Sequence, residues 1–129
     1  MGEMAPHTAN AGRVYFPAGT PDPDDILGGH VDIAGSVIRE IEEETGLTPA
    51  DYRAAPHWDC VVTGPAIAMI RLLSVDIPGE AMRNKIEANL ATQEKPELSA
   101  IHLVRGKRDL SARMPRFVTA FLAQHLSAL

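Results

Sequence analysis

The stretch from Asp32 to Gly46 constrains this chain more than any other. Asp32 suits an N-cap, because its side-chain oxygen can accept from the orphan backbone N–H groups of a first turn. Gly46 suits the residue just past a helix end, where a positive φ carries no Cβ penalty. Between them Ala34, Val37, Ile38, Ile41 and Thr45 fall on one side at 100° per residue. The spacing therefore predicts an amphipathic helix with that stripe buried. Glu40 stands three residues before Glu43 and four before Glu44. On a helix such carboxylates share a face, with neighbouring Cβ atoms roughly 5–6 Å apart, and like charges at that spacing destabilise it. They also lie toward the C-terminal end, where the macrodipole disfavours anions. A divalent cation reverses both penalties, since Mg²⁺ prefers hard oxygen ligands and often shares them with substrate phosphates. A rule broken locally in this way points to function. From residue types alone, a solvated acidic helix end is the competing reading.

The rest of the chain supplies shorter elements. Arg13 to Phe16 reads as a strand ended by Pro17, and Ala18 to Gly29 as a loop punctuated by Gly, Pro and Asp. Loops of that length are often functional. His57 to Thr63 and Ala66 to Val75 read as strands around a Gly64-Pro65 turn, with Ile67, Met69 and Ile70 suggesting burial. Pro78 to Ala91 reads as a helix carrying Met82, Ile86 and Leu90, Leu98 to Val104 as a strand, and Pro115 to Leu126 as a final helix. Strands mixed with helices predict a layered α/β or α+β fold. Residues 1–12 are small and polar without a period, so the front of the chain offers little to a core.

Composition narrows the classes. A length of 129 residues suits a single domain spanning residues 1–129. With 45% hydrophobic and 22% charged residues, a disordered or collagen-like chain is excluded. No apolar run approaches the roughly 18–20 residues that span a bilayer, so no membrane partner is expected. A net charge of −5 and only 5% aromatics argue against a nucleic acid polymer as partner. The single cysteine, Cys60, makes no internal disulfide, and a reducing, cytoplasmic setting fits. The five histidines show no zinc-like spacing.

The string Arg39-Glu40-Ile41-Glu42-Glu43-Glu44-Thr45-Gly46-Leu47 resembles the second half of the Nudix box, Arg-Glu-U-x-Glu-Glu-x-Gly-U with U an aliphatic residue. Every specified position is met. The preceding Tyr15-Phe16-Pro17-Ala18-Gly19 is similar to the strand-to-loop segment of that family, often Phe-Pro-Gly-Gly. The resemblance implies a Nudix-like α/β/α sandwich with a mixed sheet. It implies metal-dependent hydrolysis of a diphosphate linkage in a small, nucleoside diphosphate-linked substrate. In that reading Glu40, Glu43 and Glu44 are the metal ligands, for Mg²⁺ or Mn²⁺. Glu43, Glu40 and Arg39 are the catalytic candidates, with Arg39 pairing to a carboxylate of its own helix such as Glu43 and holding it in place. Family members commonly add an acid from outside the box. Glu80, Glu87, Glu94 and Glu97 lie in the right part of the chain, and spacing does not choose among them.

The first half of the box departs from the family. Counting back from Arg39, its Glu falls on Val31 and its Gly on Asp25. If Gly19 is instead the box glycine, the loop is enlarged. Asp32, one position from the missing Glu, is then either a substitute carboxylate or only the helix cap. Asp22, Asp24 and Asp25 read as polar turn residues, or as groups that approach the metal or set specificity. Members of the family have a core strand and hairpin before the Phe-Pro segment, which residues 1–12 do not resemble. A domain short at its front, lacking the usual first strand or hairpin, is the expectation, and a homo-oligomer would cover the open sheet edge. Two other functions compete: a non-catalytic Nudix-like ligand-binding or interaction module, and a truncated form with little activity.

Overall fold

In the computed structural model, which describes residues 1–127, the predicted central helix is present as α1 (Ile33–Thr45). Asp32 caps it, its Oδ1 accepting from the Gly35 N–H at 3.0 Å. Gly46 ends it at φ 77°, with its N–H on the Glu42 carbonyl at 2.8 Å. The remaining elements, in chain order, are strands β1 (Gly2–Met4), β2 (Val14–Tyr15), β3 (Ile26–Leu27) and β4 (His30–Val31) before α1. After it come β5 (Arg53–Ala54), β6 (Asp59–Thr63), β7 (Ala66–Ile70), β8 (Leu73–Ser74), α2 (Gly79–Thr92), β9 (Leu98–Ile101) and α3 (Arg116–Ser127). The class is mixed α+β. Among the described residues, no helix is long and apolar enough to cross a membrane.

The front of the chain corrects its expectation. Residues 1–12 contain β1, and β1 is the middle strand of a three-stranded sheet ordered β2-β1-β9. Gly2 stands opposite Tyr15 on one side and Ile101 on the other. The strand carries no apolar alternation because its buried position is a glycine. A Cβ on Gly2 would lie 2.8 and 2.9 Å from the Leu98 methyl carbons, and Leu98 itself is 2% exposed. The missing side chain is what lets Leu98 close over the strand.

A second correction concerns the sheet. Every strand pair among the described residues is antiparallel, in four small sheets, where one mixed sheet was expected. The expected strand from Ala66 to Val75 breaks after Ile70, and its far end, β8, pairs with β5 instead. Part of the expected loop is ordered too. A 3₁₀ turn at Pro23–Asp25 leads into the β3-β4 hairpin, turned by Gly28 and Gly29 at φ 56° and 82°. Two consecutive positive φ values are what such a two-residue turn demands.

Two apolar clusters hold these pieces. Ile41, Leu47, Ile86, Leu90 and Leu98 join α1, α2 and β9. Val14, Met114 and Val118 join β2 to α3, with Phe16 and Phe117 packed against them. The β6-β7 hairpin contributes less than expected. Ile67 is 68% exposed and Met69 47%, so their predicted burial is corrected. Val62 pairs with Ile67 and Cys60 with Met69, so one face of the hairpin is apolar and open. The chain exposes 8207 Å², where a compact monomer of 13.9 kDa exposes roughly 6,700 Å². The exposed Val62, Ile67 and Met69 of the β6-β7 hairpin contribute to that area.

Candidate active site

The local rules place α1, but packing sets its rotation. Ser36, Ile41, Glu44 and Thr45 are its buried residues, while Ala34 and Ile38 of the expected stripe are exposed. The buried face is thus turned toward Glu44, which is 5% exposed. Burial, helped by the charge of Glu97 and then of Glu40 and Glu43, pushes the Glu44 carboxyl up to about 8. The Ala18 backbone N–H, directed at that carboxylate, works in the opposite direction. Glu40 is also raised, first by burial and then by the charge of Glu43. Glu43 is turned to solvent, its side chain 60% exposed.

The Phe16–Gly19 segment seats this face. Gly19 backs onto Glu40 so closely that a Cβ there would fall inside van der Waals contact with the carboxyl group, 2.7 Å from Oε1. This close approach is the reason a glycine is needed at position 19. Phe16 anchors the segment by packing edge-on against Phe121, ring centroids 5.5 Å apart.

Arg39 has a different principal partner from the one expected. Its Nε lies 3.9 Å from Glu43 Oε1 and its Nη2 3.6 Å from Glu40 Oε1. The shorter contacts go to Asp25, with Nη1 on Oδ1 at 2.5 Å and Nη2 on Oδ2 at 3.2 Å. Asp25 is 5% exposed. The Arg39 guanidinium, followed by the Asp22 backbone N–H, holds its carboxyl below the usual carboxylate range. Such a two-pronged pair is stronger and more directional than a single ion contact. It ties the enlarged loop to the helix that carries the acids. Sequence reading placed Asp25 among polar turn residues. The usable signal was the run Asp22 to Asp25, since both end residues cap the turn between them: Asp25 Oδ2 accepts from Asp22 N at 2.8 Å, and Asp22 Oδ1 accepts from Asp24 N at 2.8 Å.

The remaining candidate residues have these places. Asp32 is the helix cap. Among the four outside acids, Glu97 is the one whose charge is felt at both Glu40 and Glu44. Its position is fixed by its carbonyl, which accepts from the Ala5 N–H at 2.8 Å. Glu80 is engaged elsewhere, 2.7 Å from the Arg105 guanidinium. Lys107 and Arg108 lie in an exposed 3₁₀ turn, and Cys60 is an exposed strand residue.

The donor set suits a hard divalent cation. It is all carboxylate, it is crowded with like charge, and one member is held in a raised-pKa environment that a cation would relieve. As the side chains stand, no group of three or more His, Cys, Asp or Glu among the described residues is arranged around one point. Glu40 and Glu44 face the Ala18-Gly19 backbone, and Glu43 points away from them into solvent. Comparison with known proteins found no matching family model, curated protein or solved structure.

Proposed function

We propose that this chain is a Nudix-type, metal-dependent hydrolase that cleaves a diphosphate linkage in a small, nucleoside diphosphate-linked molecule, on a Nudix-like α/β/α scaffold. One observation carries the reading. The helix that matches the second half of the box has two of its three box carboxylates turned onto the Phe-Pro-Ala-Gly segment, through Ala18 and Gly19. That is the segment whose sequence resembles the family's strand-to-loop motif.

In this reading Glu40, Glu43 and Glu44 hold Mg²⁺ or Mn²⁺, which supplies Lewis acidity and neutralises diphosphate charge. The chain's own groups prepare the site. Repulsion among Glu40, Glu43, Glu44 and Glu97 makes an uncompensated site costly and a cation welcome. The Ala18 N–H is directed at the Glu44 carboxylate, and Gly19, lacking a Cβ, lets Glu40 lie against the loop. Arg39, locked by Asp25, is a positioning residue that steadies the face carrying Glu40 and Glu43. Glu97 is the candidate base from outside the box.

A panel of nucleotide sugars, dinucleotides and nucleoside triphosphates, assayed with Mg²⁺ and with Mn²⁺, tests this. Turnover should fall roughly a hundredfold or more in Glu43→Gln, the scale of losing one charge-stabilising group. Intact turnover in that variant removes Glu43 from the metal site, and no turnover across the panel overturns the hydrolase reading. The outward Glu43 and the Val31 at the box Glu position favour a second reading, a ligand-binding module without hydrolysis. Calorimetry showing tight, metal-independent binding with no turnover would select it.

A further inference from the structure

The segment that seats the carboxylates also forms one wall of a cleft of about 620 Å³, running between α1, α3 and the β6-β7 hairpin. That is the size range of small-ligand sites. Phe16, Val37, Trp58, Ala68, Ile70 and Phe121 are among its walls, and Ala18 and Gly19 form the lip shared with Glu40 and Glu44. A group attached to a diphosphate held at those acids would enter here.

What the walls can recognise follows from their polar groups. Besides the Trp58 indole, three polar side chains reach the cleft: Ser36, Thr45 and Arg71. Ser36 and Thr45 are already engaged, and Arg71 is engaged through its Nε–H. The Ser36 hydroxyl is turned onto Asp25. Thr45 Oγ1 donates to the Ile41 carbonyl at 2.5 Å. Arg71 gives its Nε–H to the Ala55 carbonyl at 2.7 Å and lays its guanidinium over Trp58, 5.3 Å from the ring centroid. A sugar or a base edge placed here would meet the Arg71 guanidinium as its one polar side-chain partner beside the Trp58 indole, and its remaining polar groups would lose water without regaining a side-chain partner, which is costly. A hydrocarbon loses nothing and displaces water from Phe16, Trp58 and Phe121.

We infer that this cleft receives the group carried by the diphosphate, and that this group is apolar: a hydrocarbon chain or ring, not a sugar or a hydrogen-bonding base. The inference rests on the hydrolase reading for its diphosphate end, and on the cleft alone for the nature of the group. Each methylene buried should tighten binding about fourfold.

The test uses alkyl esters of a nucleoside diphosphate, from methyl to octyl, beside a nucleotide sugar. Two readouts are taken on the intact chain: turnover with Mn²⁺, and emission of Trp58, the single tryptophan, without metal. Expected are a kcat/KM that climbs with chain length before levelling off, and a saturable blue shift with the octyl ester that the methyl ester does not give. Ala68→Phe, which fills the cleft, should flatten both series; the wild-type series decides the matter if that variant fails to fold. Turnover that is flat with chain length, or best with the nucleotide sugar, overturns the apolar assignment and leaves the hydrolase standing. A Trp58 shift with the octyl ester and no turnover of any ester supports the apolar cleft and sinks the hydrolase. Neither signal, or a sedimenting dimer with no Trp58 response, overturns the assignment of the cleft.

Discussion

Gly19→Ala isolates the contact on which the site depends. Gly19 is not among the glycines with positive φ, so an alanine there is tolerated by the backbone. Its Cβ, however, would be 2.7 Å from Glu40 Oε1, and carbon packs comfortably at about 3.5 Å or beyond. Glu40 Cγ, 2.5 Å from the same point, must therefore retreat by about 1 Å against that packing distance. The retreat asks for a rotation of the Glu40 side chain and no backbone shift, because the clashing atoms are its Cγ and its carboxyl group. Stability should change by no more than about 0.5 kcal/mol. The retreat is not easy for a ligand, since metal sites tolerate errors of only about 0.2 Å in ligand distance. A misplacement near 1 Å costs on the order of a hundredfold in rate.

The expected outcome is an unchanged urea midpoint, with Mn²⁺ affinity by calorimetry and turnover each reduced roughly 10- to 100-fold. An internal check is Glu40→Ala, which removes Cγ, Cδ and Oε1, the three atoms that a Gly19 Cβ would meet. Gly19→Ala made in that background should cost little further, because the atoms it displaces are gone; distant, independent sites would instead add. Wild-type metal affinity and turnover in Gly19→Ala would refute the close-approach argument. So would full additivity of the two substitutions.

Two further substitutions probe the elements that carry the site. Gly46→Ala forces an L-residue to φ 77° and drives a Cβ into the Asn89 carboxamide, 2.8 Å from its oxygen. The left-handed conformation alone costs about 1–2 kcal/mol, which should appear in urea as a lower midpoint with the slope unchanged; a midpoint equal to wild type contradicts the cap. Asp25→Asn tests the clamp through pH. Because the Arg39 and Asp22 hydrogen bonds lower the folded-state value, the carboxylate stabilises the fold above the ordinary Asp value of about 3.9, and that stability is lost as pH falls through the depressed folded value. The variant should be less stable near neutrality and converge with wild type in acid, a gap that a series of urea melts from pH 7 to pH 2 measures directly. A constant gap across that range would mean that the charge of Asp25 is not what holds the loop.

The features that sequence reading captured are those whose causes are local. Asp32, Gly46 and the spacing of Val37 and Ile41 belong to one helix, and caps and periodicity act within a few residues. The alignment of Glu40 and Glu44 on one face followed from the same geometry. The misses have causes that lie far along the chain. Gly2 earns its strand through Leu98, ninety-six positions away, and no window around residue 2 contains that information. Ile67 and Met69 looked buried because they are apolar, but a hairpin whose two faces are both apolar does not say which face finds a partner. Arg39 followed the i,i+4 rule only weakly, at 3.9 Å from Glu43, because Asp25 offered two oxygens in the plane of the guanidinium.

The same comparison bears on the irregular first half of the box. Counting backward from Arg39 puts Asp25 at the family's glycine, a position where the backbone is far from any acid of α1 in sequence and where a charged residue is buried against Arg39. A glycine there would delete the clamp. Counting across an enlarged loop puts the glycine at Gly19, where the absence of a Cβ is required by Glu40. The two alignments make opposite demands on the two positions, and under the proposed hydrolase reading the second is the one compatible with the burial of Asp25 and the close approach at Gly19. Under that same reading the residues between Gly19 and α1 have a structural role. They form the turn and hairpin that carry Asp25 back to α1, so that the loop is fastened to the helix whose carboxylates it has to cover.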